Sequence, residues 1–309
     1  MTALEQHLDE YLQLRRSLGH KLADAHRLLP RFVTYLDEHD IEFVTIESAL
    51  GWSLERVVPD GSRVPAQRMM AVRGFARYLS GIDLRTEIPP AGTIRRPNRW
   101  RRPFIYTDGD VLALIEQAKA LIPQPLRSAT YQTLIGLLAT TGLRVGEALR
   151  LDRGDLDRCE GVLRIRASKF GKSRLVPLQD STVAALERYG HTRQRLCPEP
   201  STDSFFVSLR GTRVIYECVW PTHRMLCQHA GVGASSPVNP RIHDHRHSFA
   251  VKTLLGWYQQ GVDVPSRISW LSTYLGHREP RYTYHYLSAA PDLLAHAARL
   301  LDDAQAVRS

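Results

Sequence analysis

Much that would place this 309-residue chain in other classes is missing from it. Its four cysteines, Cys159, Cys197, Cys218 and Cys227, form no C-x-x-C pair, so reduced thiols are expected rather than a disulfide framework. No apolar run approaches the ~20 residues that a membrane span needs. The first ten residues carry charges, which is unlike a secretory h-region, so a cytoplasmic location is expected. Internal repeats and low-complexity tracts are also lacking. Acidic side chains are in deficit, 32 Asp and Glu against 41 Lys and Arg, which leaves a net charge of +9. Such an excess favours a polyanionic partner, because each neutralised phosphate releases condensed counterions.

What is present reads as two helical domains. Leu4, Leu8, Tyr11 and Leu12 recur at helical spacing, as do Phe32, Val33 and Leu36 after Pro30, which is expected to start or kink its helix. A third stripe, Met69, Met70, Val72, Phe75, Tyr78 and Leu79, leaves Arg68, Arg73 and Arg77 for the opposite face, where they are DNA-binding candidates. The first domain is expected over residues 1–85. Residues 86–103 combine prolines with Arg95, Arg96, Arg101 and Arg102, and read as a basic linker lying on a nucleic-acid backbone. The second domain then runs over 104–309, opened by a capping box at Thr107–Asp110. Alternation in Val162–Ala167 and Arg174–Leu178 predicts two strands joined by a hairpin loop holding Lys169, Gly171 and Lys172. The fold class is therefore mainly α with a small antiparallel sheet.

The chemistry-bearing residues cluster late. His243, Arg246 and His277 are followed by Tyr286, with Tyr282 and Tyr284 as neighbours, and upstream stand Arg144, Glu147 and Lys169. A phenol can attack phosphorus, arginines can hold non-bridging oxygens, and histidines can carry protons. Taken singly these residues have ordinary readings: a helix-capping arginine, a structural histidine, a packed tyrosine. The alternation of His243, His245 and His247 also admits zinc binding if the segment is a strand; the run from Ser248 reads as a helix, which would separate His245 from the other two.

Taken together and in order, the strings T-G-L-R-V-G-E, S-K-F-G-K-S-R, H-D-H-R, L-G-H and Tyr286 resemble the tyrosine recombinase (phage integrase) family. His245 departs from the pattern, since the family usually has leucine there, and the segment between Arg246 and His277 is longer than in minimal members. The resemblance implies an N-terminal core-binding domain and a catalytic domain that clamp duplex DNA. It implies a metal- and ATP-independent DNA strand transferase, with Tyr286 forming a 3′-phosphotyrosyl bond and no cofactor. Arg144 and Arg246 would stabilise the phosphorane, Lys169 would protonate the leaving 5′ oxygen, His243 would assist deprotonation of the tyrosine, and His277 would hydrogen-bond the phosphate. Glu147 would orient the basic cluster, and Lys172 and Arg174 would join the DNA contacts. The implied partners are double-stranded DNA, a homotetramer in the synaptic complex and other recombinases of a mobile element, with no membrane. That would make the chain a nucleoid-associated integrase or transposase type. A topoisomerase of the same chemistry, a DNA-binding regulator on this scaffold and a metal-dependent nuclease are the alternatives.

Overall fold

The computed structural model describes all residues except 1, 21, 56–57, 60–61, 96–101, 167–172, 278, 280–282 and 285–309. The chain divides into two compact units, Met1–Trp100 and Arg101–Ser309.

Among the described residues of the first unit there are four helices, α1 (Ala3–Ser17), α2 (Ala23–Glu38), α3 (Ile46–Leu54) and α4 (Val64–Leu79). Thr2 and Thr45 close capping boxes on α1 and α3, each satisfying backbone N–H groups that a helix leaves without partners. The stripe Leu4, Leu8, Tyr11 and Leu12 is buried as the spacing predicts. Of the two places expected for Pro30, the start of its helix is not the one found: Pro30 lies inside α2, where burial of Leu28, Leu29, Phe32 and Val33 around it offsets the lost hydrogen bond. A second expectation is corrected. On α4, Met70 is 60% exposed, whereas Arg68 is buried, its Nη1 donating to the Trp52 carbonyl at 3.1 Å and its guanidinium lying 5.1 Å from the Trp52 ring centre. Arg68 therefore belongs to the packed side of the helix, while Arg73 is half-buried and Arg77 exposed. Thr86 and Pro89 are buried and Ile94 packs on this core, so residues expected as linker are part of the first unit.

The second unit contains α5 (Asp108–Leu121), α6 (Pro125–Thr141), α7 (Val145–Leu149), α8 (Asp180–Leu196), α9 (Tyr216–His229), α10 (Asp244–Gln259) and α11 (Val264–Leu275). A three-stranded antiparallel sheet, β1 (Leu156–Asp157), β2 (Val162–Ile165) and β3 (Arg174–Pro177), has the order β1-β2-β3. Thr107 caps α5 as its sequence predicts: its side chain accepts from the Asp110 amide, and Asp110 accepts from the Thr107 amide at 2.8 Å. The β2–β3 hairpin pairs Leu163 with Val176 and Ile165 with Arg174. Leu163, Ile165 and Val176 join Leu134, Ile135, Leu138, Leu186, Tyr189, Phe206 and Leu226 in the main core. A smaller cluster, Ala250, Val251, Leu254, Val264, Ile268, Leu271 and Leu275, binds α10 to α11. Among the described residues no helix is long and apolar enough to cross a membrane.

Candidate active site

Two glycines set the site's backbone. Gly142 ends α6 with φ +61°, and its turn brings Arg144 to the N-cap of α7. Gly276 ends α11 with φ +67°; the amides of Gly276 and His277 bond back to Thr273 and Ser272, the pattern of a left-handed helix stop. That pattern satisfies two of the last four carbonyls of α11 and leaves those of Tyr274 and Leu275 for other donors.

Arginines supply them. Arg174 Nε donates to the Tyr274 carbonyl at 2.8 Å, Arg246 Nη2 to Leu275 at 2.6 Å, and Arg144 Nη2 to Gly276 at 3.2 Å. Three guanidiniums from three elements thus grip three successive carbonyls, where the helix dipole favours positive charge. Arg246 is buried on the first turn of α10, and its Nη1 also reaches the Gly142 carbonyl at 3.0 Å.

Glu147, itself buried, ties the cluster together. It accepts from Arg144 Nη1 at 2.7 Å, from Arg174 Nη1 at 3.2 Å and from Arg174 Nη2 at 2.9 Å. Burial alone would raise its pKa, but the two-point bond from Arg174 and the nearby charge of Arg144 outweigh burial and hold the carboxyl at about 2. Glu147 is therefore ionised at any working pH.

The histidines follow the opposite logic. His277 hydrogen-bonds Thr283 Oγ1 through Nδ1 at 2.8 Å, and its pKa falls to about 3, first from burial and then from Arg246, Arg144, Arg174 and His247. His243, the N-cap residue of α10, is exposed on one side; the protein packed against the other, then His247, Arg246 and Arg144, lowers its pKa to about 4. Both imidazoles are neutral near pH 7, which leaves each one nitrogen able to accept a proton.

The structure therefore brings together Arg144, Glu147, His243, Arg246 and His277. Lys169, Lys172, Arg96, Arg101, Tyr282 and Tyr286 lie outside the described residues; Tyr284 is described and is half exposed. Arg95 and Arg102 are exposed. Arg174, expected as a DNA contact, is turned inward with its side chain 13% exposed. Its position was legible: strand alternation puts it on the face of buried Val176 and opposite Leu175, which is 58% exposed. Thr283 was not foreseen as a neighbour of His277, because no local pattern marks it; His247 stands four residues after His243, the spacing at which a helix keeps the two on one side. The three alternating histidines are split by helix geometry, His243 and His247 sharing one side with ring centres 5.3 Å apart while His245 faces His223.

Residues 106–292, more than half of the chain, match the model of the Phage integrase family. This chain belongs to that family. Its relatives include a putative integrase/recombinase, y4rB, of Sinorhizobium fredii, 38% identical over 98% of both chains, and the tyrosine recombinase XerD of Mycobacterium leprae, 32% identical over 85% of this chain and 86% of the relative. The fold resembles that of the Tn1549 transposon integrase in complex with transposon right end DNA, with TM-score 0.65 and 16% identity over 98% and 99% of the two chains. XerA recombinase gives TM-score 0.52 and 20% identity over 96% and 98%. Members of this family cleave and rejoin DNA by tyrosine transesterification; because these relatives and structural neighbours are integrases and recombinases, the topoisomerase and regulator readings are not favoured.

Proposed function

We propose that this chain is a strand-exchange enzyme of a mobile element, acting on duplex DNA through Tyr286. The observation that carries the reading is the convergence of Arg144 and Arg246 on the turn that leads to His277. Fixed cations at that turn suit a phosphorane, whose charge they would stabilise without reorganising. The Tyr286 oxygen attacks the scissile phosphorus, giving its proton to His243, and a 3′-phosphotyrosyl bond forms. The bond from phosphorus to the 5′ oxygen breaks, and Lys169 gives that oxygen its proton. The 5′ hydroxyl of another strand then reverses these steps, so bond energy is conserved and the residues need neither metal nor ATP. His277 hydrogen-bonds a phosphate oxygen, and Glu147 orients the arginines.

Arg73, Arg77, Arg95, Arg96, Arg101, Arg102 and Lys172 serve as contacts to the DNA backbone. Assembly as a tetramer on DNA is supported by the likeness to a lambda integrase tetramer bound to a Holliday junction, with TM-score 0.60. Other recombinases of the same element are further partners, and the nucleoid-bearing cytoplasm is the site of action. The transposon type is supported by the Tn1549 likeness.

The test uses a nicked half-site duplex, selected by binding from a random-sequence library, which traps the covalent adduct when the 5′ fragment leaves. Tyr286→Phe removes one oxygen at nearly constant volume, so DNA affinity should persist while adduct disappears. Adduct persisting in Tyr286→Phe, or lost in Tyr282→Phe with binding intact, would move the nucleophile.

A further inference from the structure

Arg174 makes three side-chain hydrogen bonds within the site, yet it was expected only as a contact to the DNA. Its three donor nitrogens are all engaged, with the Tyr274 carbonyl and both oxygens of Glu147. Gly276 is shaped around it: a Cβ on that residue would stand 2.9 Å from Arg174 Nη1. Arg174 is also the first residue of β3, paired with Ile165 of β2, and Lys169 falls between these two strands in the sequence. One side chain therefore joins the hairpin strand, the end of α11 and the carboxylate that holds Arg144.

We propose that Arg174 is a positioning residue for strand cleavage, acting through Glu147 on Arg144, and not a DNA-backbone contact. Glu147 is buried beside two arginines and has two oxygens to place. Arg144 takes Oε1 with a side-chain nitrogen and Oε2 with its backbone amide at 3.1 Å. The fork from Arg174 meets the same two oxygens and so fixes the plane of the carboxylate, which a single-point donor could not do. Without Arg174, Glu147 would be held from the Arg144 side alone, and the Arg144 guanidinium would shift with a carboxylate that has lost its fork. A displacement of about 1 Å at a reacting centre can cost roughly 10²-fold in rate.

The inference rests on the proposed strand-transfer reaction, and its test separates the two. Single-turnover cleavage by the full chain is measured on the selected half-site with an ordinary scissile phosphate and with a methylphosphonate, which is neutral and demands less of a cation. Arg174→Ala should bind DNA with unchanged affinity and salt slope, and should cleave the ordinary substrate about 10²-fold more slowly. On the methylphosphonate its deficit should shrink by about tenfold or more, because the arginine it positions is needed less there. Arg144→Ala/Arg174→Ala should be no slower than Arg144→Ala alone, since the residues act in series. Arg174→Lys should remain slow, because an ammonium cannot span both oxygens and the Tyr274 carbonyl.

Equal deficits on the two substrates, a salt slope lowered by about one, or full rescue by lysine would each overturn the proposal. If Arg174→Ala does not fold, Arg174→Lys and Arg174→Gln carry the same comparison. A wild-type chain that cleaves neither substrate would instead refute the strand-transfer reading.

Discussion

The Nε2 atoms of His245 and His223 face each other at 3.3 Å, inside the protein and away from the site to which His243 and Arg246 belong. The His245 ring also stacks on Tyr106, with centres 4.1 Å apart and planes 9° from parallel, and Cys227 Sγ lies 3.7 Å from His223 Nδ1. A slot that the resemblance reserves for leucine is thus filled by a polar pair linking α9 to the first turn of α10.

Breaking that pair from one side should cost more than replacing it. His245→Leu leaves the His223 nitrogen buried without its partner, a loss of about 1–3 kcal/mol, and His223→Leu does the same in reverse. The double leucine variant should recover at least about half of the summed loss, because no orphaned imidazole remains. Urea unfolding of the four proteins is the measurement, and strictly additive losses would show the contact to be energetically silent.

The same pair makes stability depend on pH. Burial lowers the pKa of His223 to about 4 and that of His245 well below its ordinary value. In the unfolded chain both titrate near ~6.5. Between these limits the unfolded state binds more protons than the folded one, so stability rises with pH and is lost as pH falls from about 6.5 towards 4, by something on the order of 2–3 kcal/mol from His223 alone, with His245 adding in the same direction. Thermal unfolding across that range should show the slope, and the double leucine variant should lessen it, leaving the share that His243 and His277 contribute. A wild-type midpoint that is constant from pH 6.5 to 4.5 would contradict the buried neutral pair.

Gly142 should tolerate no side chain. Its φ of +61° is strained for other residues, and a Cβ there would meet the Phe249 ring at 2.5 Å. Strain and crowding together predict a loss of about 2–4 kcal/mol for Gly142→Ala. Its carbonyl holds Arg246, so adduct formation should fall further than DNA binding. Equal losses in binding and adduct formation, measured below the melting transition, would show that the turn does not act on the arginine.

The arginines of the basic stretch 95–102 should govern salt dependence. Replacing Arg95, Arg96, Arg101 and Arg102 by alanine should weaken binding similarly across sequences, because phosphate contacts carry no base information. The slope of log affinity against log salt should fall by about 0.9 for each phosphate that is no longer neutralised. Fluorescence anisotropy at several salt concentrations reads it directly, and an unchanged slope would take these arginines off the DNA.

Local pattern was enough for a good part of this protein. The Thr107 capping box, the stripe Leu4, Leu8, Tyr11 and Leu12, and the β2–β3 hairpin depend on neighbours within a few residues or across one hairpin, so the chain order alone fixes them. The order and spacing of the arginine, histidine and tyrosine strings marked the family for a similar reason, since each string is itself local. Strand alternation marked the side on which Arg174 lies, but the partner of each arginine was not legible, because a guanidinium takes whichever acceptor the fold delivers. Arg68 found the Trp52 carbonyl, Arg174 found Glu147 and Tyr274, and Arg246 found Gly142 and Leu275, partners 16 to 104 residues away. Amphipathic spacing assigned Arg68 to a polar face, and a basic hairpin assigned Arg174 to DNA; both readings counted charge and not the buried carbonyls that helix ends leave to be satisfied. Only the packing of α6, α10, α11 and β3 around one turn decided where those carbonyls would be, and so which arginines became part of the protein's interior.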